Sequence, residues 1–178
     1  MEITEAVAKT FRMDDEAWRR HANPWSVWTR FAAIPLMLIA VWSRTWIGWW
    51  CLVPVAAVVV WLFLNPSAFP PVEPRSWAAR GIYGERVWAQ DKASVPPDHG
   101  RVLRVLVVLG LAGFGLITWG LVMLDFWPTL FGAVVVIMAQ LWRIDRFGWL
   151  WERAEEQATA KDVSRHPLSA PCPRCRRW

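Results

Sequence analysis

Ten ionisable side chains of this sequence stand where they could do chemistry together: Asp14, Asp15, Glu16, His21, Arg30, Glu85, Arg86, His99, Asp145 and Arg146. Each lies beside a long apolar segment or in the polar stretch between two of them, so folding is expected to gather them in one layer. A set of histidines and carboxylates at a lipid interface can bind a metal or move protons on a headgroup. Arg30, Arg86 and Arg146 could hold a phosphate bidentately. The candidate cluster is therefore His21, Arg30, Glu85, Arg86, His99, Asp145 and Arg146, with no residue assigned as catalytic. Cationic anchoring and ion pairs between polar segments explain the same residues more simply. On that account Glu85 is partly buried and pairs with Arg30 or Arg146, and Arg86 pairs with Asp145. No two histidines have ligand spacing such as His-x-x-x-His, so this cluster is not read as a metal site.

A second constellation is Pro171-Cys172-Pro173-Arg174-Cys175. Thiolates at this spacing can hold zinc or exchange disulfides. Zinc needs four ligands; His166 could be a third, and no fourth is near. A reduced pair without a partner is the simpler account. Cys51 stands apart from both. A third possibility is that tryptophans and small residues line a site for lipid, a quinone or a pigment. Aromatic belts and helix packing explain them as well, and no cofactor is predicted. His21 and His99 lie outside the apolar spans, which argues against a haem or chlorin held within them.

The elements that would position these residues follow from hydropathy. Hydrophobic residues make up 55% of the 178, and 16 are tryptophan. Trp is favoured at membrane interfaces for its amphipathic ring. Four spans are expected, at 25–42, 46–64, 105–124 and 127–142. The segment Ile47–Leu64 holds 18 uncharged residues, enough for ~27 Å of helix, about one bilayer core. Ser43-Arg44-Thr45 and Asp125-Phe126-Trp127-Pro128 are the turns. A lone apolar strand cannot satisfy its backbone in lipid, so the spans are α-helical. The fold class is all-α: four transmembrane helices as two antiparallel hairpins, with short interfacial helices at the cytoplasmic face. Residues 1–160 form the single domain, and 161–178 are expected to be a disordered tail.

Between the hairpins lies a cytoplasmic joint, 65–101, bracketed by Pro66, Pro70, Pro71 and Pro74 on one side and Pro96-Pro97 on the other. A short helix is expected over Trp77–Gln90. Trp77, Gly81, Gly84 and Trp88 share one of its faces, which should lie flat in the headgroup layer. Another short helix precedes the first span, with Asp14 as N-cap, a Met13–Trp18 staple and Asn23-Pro24 as its stop. The fourth span should continue as a polar helix from Arg143 to about Ala158. Gly113 and Gly120 on the third span, with Gly132 and Ala139 on the fourth, are spaced for close helix packing.

Charge orients the chain. Of 20 basic residues, all but Arg44 fall on one side of this arrangement. The positive-inside rule makes that side cytoplasmic, with both termini there. The net charge of +5 is explained by anionic lipid, and nucleic acid is not expected as a partner. No cleavable leader is expected, because Glu2, Glu5, Asp14, Asp15 and Glu16 precede the first apolar run. The spans carry no Asp, Glu, Lys or His at membrane depth, which argues against an ion-coupled transporter.

The stretches DDEAWRRHANPWSVWTR (14–30), GERVW (84–88) and WRIDRFGWLWE (142–152) resemble an uncharacterised family of small prokaryotic four-span membrane proteins. The similarity covers about Met13 to Glu152. It implies the architecture and a prokaryotic cytoplasmic membrane, and it implies no chemistry. The function expected is that of a structural or accessory subunit, non-enzymatic, with membrane lipids and a larger membrane complex as partners. The alternatives are an interfacial enzyme or binding protein acting on a lipidic ligand, and a thiol or zinc protein using the tail cysteines.

Overall fold

The computed structural model describes residues 15–90 and 95–165, and all regular structure among them is helical. Helix α1 is Asp15–His21, α2 Pro24–Trp42, α3 Leu52–Ala68, α4 Trp77–Gln90, α5 Pro97–Met123 and α6 Phe126–Arg165. Between α2 and α3 lie a helical turn, Arg44–Ile47, and a 3-10 turn, Gly48–Cys51. Asn23 both ends α1 and starts α2: its side chain accepts from the Trp25 N–H at 3.0 Å, and Pro24 takes the first helical position, where a missing N–H costs nothing. The expected cap at Asp14 and the partner Met13 lie outside the described residues.

Three helical runs are long and apolar enough to cross a membrane: Pro24–Ala68, Pro97–Met123 and Phe126–Ser164. Three such runs stand where four spans were expected, because the first run includes both of the expected spans 25–42 and 46–64. The first run takes in α2, both short turns and α3, and α3 alone has 17 residues. The run is nevertheless not straight. Ser26 Oγ donates to Asn65 Oδ1 at 2.6 Å across 39 residues, whereas an unbroken helix would hold them ~58 Å apart. The reversal occurs at Gly48, whose φ of +56° suits a residue without Cβ. Trp46, Trp49 and Trp50, all strongly exposed, surround it.

The second apolar element is thus displaced from the expected 46–64 to 52–68, and the joint shrinks from 65–101 to 69–96. Pro66 sits inside α3 rather than stopping it, because Asn65, fully buried against α2, anchors that last turn. Pro97 opens α5, so Asp98 and His99 belong to its first turn. Helix α6 continues past the expected end to Arg165, which makes the first residues of the expected tail helical.

Helices α5 and α6 pack through small residues. A Cβ on Gly132 would stand 2.6 Å from the Gly113 carbonyl oxygen, and one on Gly120 would stand 2.3 Å from Thr129 Oγ1. Ala139 is buried farther along α6. At the opposite end from the Trp turn, α4 packs on the second half of α6. There Ala78, Ala79, Ile82 and Ile144 form a core with Ala22 and Val27. Phe147 and Leu150 form another with Leu103. The Gly81/Gly84 face of α4 lies against Ile144 and Phe147, so the expectation that it rests on headgroups is corrected: two glycines let two backbones meet. Most large side chains on α2, α3 and α5 remain exposed, among them Leu36, Ile39, Val60, Phe63, Leu111 and Phe114. Apolar surface on this scale is of the kind that a membrane or a partner protein covers.

Candidate functional site

The end of the molecule opposite the Trp turn carries its polar constellation. It begins where α1 meets α2. Arg30, two turns into α2, reaches back so that Nη2 donates to the His21 carbonyl at 3.1 Å and Nε donates to the Ser26 carbonyl at 3.0 Å. Its Nη1 lies 2.6 Å from His21 Nε2. A guanidinium only donates, so Nε2 accepts and the ring proton is on Nδ1. Burial, and then the Arg30 charge, push the His21 pKa down to about 3. His21 is neutral, with its one lone pair occupied. It can serve neither as a metal ligand nor as a proton acceptor while Arg30 stays in place.

Beside Arg30 lies a partly open cavity of about 190 Å³. Helix α2 lines it with Val27, Arg30, Phe31 and Ile34, and α6 lines it with Gln140, Arg143, Ile144 and Phe147. Both sets have the i, i+3, i+4, i+7 spacing of a single helical stripe. Helix α4 closes it with Ile82 and Glu85. Glu85 supplies the negative charge that offsets Arg30, yet no ion pair within 4.0 Å joins it to any described residue. The expected tight pairing of Glu85 with Arg30 or Arg146 is therefore corrected to proximity across a cavity. Arg143 stacks over the Phe147 ring at 5.8 Å. Its Nε is buried and has no acceptor among the described residues.

The remaining predicted residues lie outside this cavity. Arg86 pairs with Asp15 on α1, not with Asp145. Asp145 pairs with the adjacent Arg146 at 3.2 Å and accepts from Trp77 Nε1 at 3.4 Å. His99 is buried and stacks on Trp149, with centroids 4.9 Å apart. The expected single cluster thus separates into an Arg30–Glu85 cavity backed by His21, an Arg86–Asp15 strap, and a His99/Asp145/Arg146 flank. Cys172, Cys175 and His166 lie outside the described residues. Among the described residues no three His, Cys, Asp or Glu side chains converge as metal ligands would.

Sequence reasoning missed Arg143, which was placed with the solvated charges of the polar helix. The α6 stripe that joins it to Gln140, Ile144 and Phe147 carries the signal. It also missed Asn65, whose Nδ2 donates to Thr29 Oγ1 at 2.7 Å while its Oδ1 accepts from Ser26. Arg44, the basic residue left at the Trp end, donates to the carbonyls of Leu121 and Val122 at the end of α5. It satisfies carbonyls that α5 itself leaves unpaired.

A family model described as "Family of unknown function (DUF6653)" matches residues 2–169. No curated protein and no solved structure matches the chain.

Proposed function

The chain belongs to DUF6653, a family of unknown function, and we propose that it is a multi-pass protein of a prokaryotic cytoplasmic membrane that binds rather than catalyses. In this reading the run Pro24–Ala68 crosses twice, α5 and the first half of α6 cross once each, and the four passes form two antiparallel hairpins. The Trp turn and the Asp125 turn face outward. Helices α1 and α4 and the second half of α6 form a cytoplasmic cap, with both termini on that side. The protein serves as an accessory or structural subunit of a larger membrane assembly.

The observation that supports a binding role is that His21 and Asp145, two of the four candidate acid–base side chains of the cluster, are held by arginines, while Glu85 faces the cavity without an ion pair to a described residue. The His21 lone pair is held by Arg30, Arg86 is paired with Asp15, and Asp145 is paired with Arg146. A general acid or base must be free to reach a substrate proton. A second reading, action on a lipidic ligand at the inner face, is favoured by the Arg30–Glu85–Arg143 cavity.

Two measurements test the proposal. In a variant with all three native cysteines replaced, a single cysteine at Thr45 or Asp125 should react with an impermeant thiol reagent from outside, and one at Gln157 should not. Strong outside labelling at Gln157 would overturn the orientation. In native mass spectrometry after mild extraction, the chain should run in stoichiometric complex with other subunits. A lone chain would remove the accessory role.

A further inference from the structure

The cavity between α2, α4 and α6 has an unusual distribution of charge. Two guanidinium groups, Arg30 and Arg143, and one carboxylate, Glu85, line a space of about 190 Å³. Left to themselves, a carboxylate and two arginines so confined would close into a bidentate ion pair, the strongest arrangement open to them. They do not: Glu85 makes no ion pair within 4.0 Å with a described residue. Arg30 is held back by three contacts, to His21 Nε2, the His21 carbonyl and the Ser26 carbonyl. These hold its Nε and one N–H on each terminal nitrogen, which leaves two of its five N–H groups for a ligand. Arg143 is held over Phe147 and has a buried Nε without an acceptor. Unpaired buried donors are costly and call for a partner.

Apart from Gln140, the rest of the lining is apolar. Phe31 and Ile34 on α2, with Ile144 on α6, extend the same stripes. Ile34 lies one turn deeper into its span than Arg30, and Gln140 lies one turn deeper into its own than Arg143. The charged residues therefore lie nearer the cap, and the lining one turn deeper, Ile34 and Gln140, is uncharged. A soluble anion would use the charges and leave the apolar wall unexplained. A simple fatty chain would leave both arginines unmatched.

We propose that this cavity binds a zwitterionic phosphate–amine headgroup carrying acyl chains: the phosphate between Arg30 and Arg143, the ammonium at Glu85, and the first methylenes along Phe31 and Ile34. The same headgroup chemistry exists free as phosphoethanolamine and in lipid as phosphatidylethanolamine. The inference rests on the membrane reading, which sets the cavity at the headgroup layer. The cysteine-labelling experiment tests that reading separately, so an intact topology without binding condemns the site alone.

The test uses the full chain in detergent, with binding read by native mass spectrometry and by melting followed through tryptophan fluorescence. The probes are dihexanoyl-phosphatidylethanolamine, dihexanoyl-phosphatidylglycerol and free phosphoethanolamine. Phosphatidylethanolamine should bind and raise the melting temperature, and free phosphoethanolamine should bind at least about tenfold more weakly for want of apolar burial. Arg143→Leu should weaken phosphatidylethanolamine by about tenfold or more, the effect of losing a charged hydrogen-bond partner. It should fold normally, since Arg143 Nε donates to nothing among the described residues. Should it not fold, Arg143→Lys keeps the charge, loses the fork and should show part of the same loss. Glu85→Gln should bring phosphatidylethanolamine down to the phosphatidylglycerol level. Undiminished binding by Arg143→Leu or Arg143→Lys overturns the site. Equal binding of the two lipids by the unaltered protein overturns the amine assignment, and tighter binding of free phosphoethanolamine overturns the lipid assignment.

Discussion

Glycine 84 offers a test whose sign separates two physical accounts. A Cβ built there would stand 1.7 Å from the Phe147 carbonyl oxygen, 2.4 Å from its carbonyl carbon and 3.1 Å from its Cα. All three are backbone atoms, so no rotamer change relieves the overlap. Bringing the first contact to the 3.0 Å that real Cβ atoms respect requires α4 and α6 to part locally by 1.3 Å. A gap of that size forfeits more than half of the dispersion energy at each contact it opens, with Ile82, Ile144 and Leu150 among the side chains affected. Overpacking of this kind costs about 3 kcal/mol. Helix propensity acts the other way and favours alanine over glycine by about 1 kcal/mol. The net expectation for Gly84→Ala is a loss of about 2 kcal/mol, or a melting temperature lower by about 4–8 °C for a chain of this size. The assay is thermal unfolding in detergent followed by tryptophan fluorescence. Gly110→Ala is the control, because nothing lies within 4 Å of its added Cβ; it should be neutral or slightly stabilising. Gly81→Ala should fall between them, since its nearest clash, at 2.4 Å, is with a side-chain methyl of Ile144 and its nearest backbone contact, the Ile144 carbonyl oxygen, is at 2.9 Å rather than 1.7 Å. If Gly84→Ala melts at or above the temperature of the unaltered protein, the close approach of α4 and α6 is refuted.

Asn65→Leu should destabilise the protein by about 1–3 kcal/mol, because it leaves the buried Ser26 hydroxyl without its acceptor. Adding Ser26→Ala should recover part of that loss, and a double variant no more stable than Asn65→Leu alone would rule out this pairing. The pH dependence of stability follows from His21. Its folded pKa of about 3 lies below the ordinary 6.5, so the unfolded chain takes up a proton that the native state refuses. Its contribution is fully present above pH 6.5 and is lost as pH falls toward 3, by about 2 kcal/mol at pH 5. Melting measured from pH 7 to pH 5 should show this decline, and His21→Gln should flatten it. An equal slope in both proteins would mean that His21 is not buried against Arg30.

Much of the architecture was legible without coordinates, because it depends on quantities that a sequence states directly. Runs of uncharged apolar residues long enough for a bilayer, and helix as the one local way to satisfy a single segment's backbone in lipid, require nothing beyond the segment itself. The spacing of Gly113, Gly120, Gly132 and Ala139 also lies within single helices, and the structure places the three glycines between α5 and α6.

What the tertiary structure decided was the choice of partner. Trp77, Gly81, Gly84 and Trp88 do share a face, but periodicity reports only that a face is special. That it meets α6 rather than headgroups depends on how two helices cross. Asn65 stands among prolines and reads as loop. Its bonds to Ser26 and Thr29, 39 and 36 residues away, carry α3 through Pro66. The arginines were equivalent by composition, and their roles diverged by location: Arg86 met Asp15, Arg30 met His21, Arg44 met the end of α5, and Arg143 was left facing a cavity. Charge is additive along a chain and can be summed before folding. Pairing requires side chains within a few ångströms, and only the packed helices set those distances.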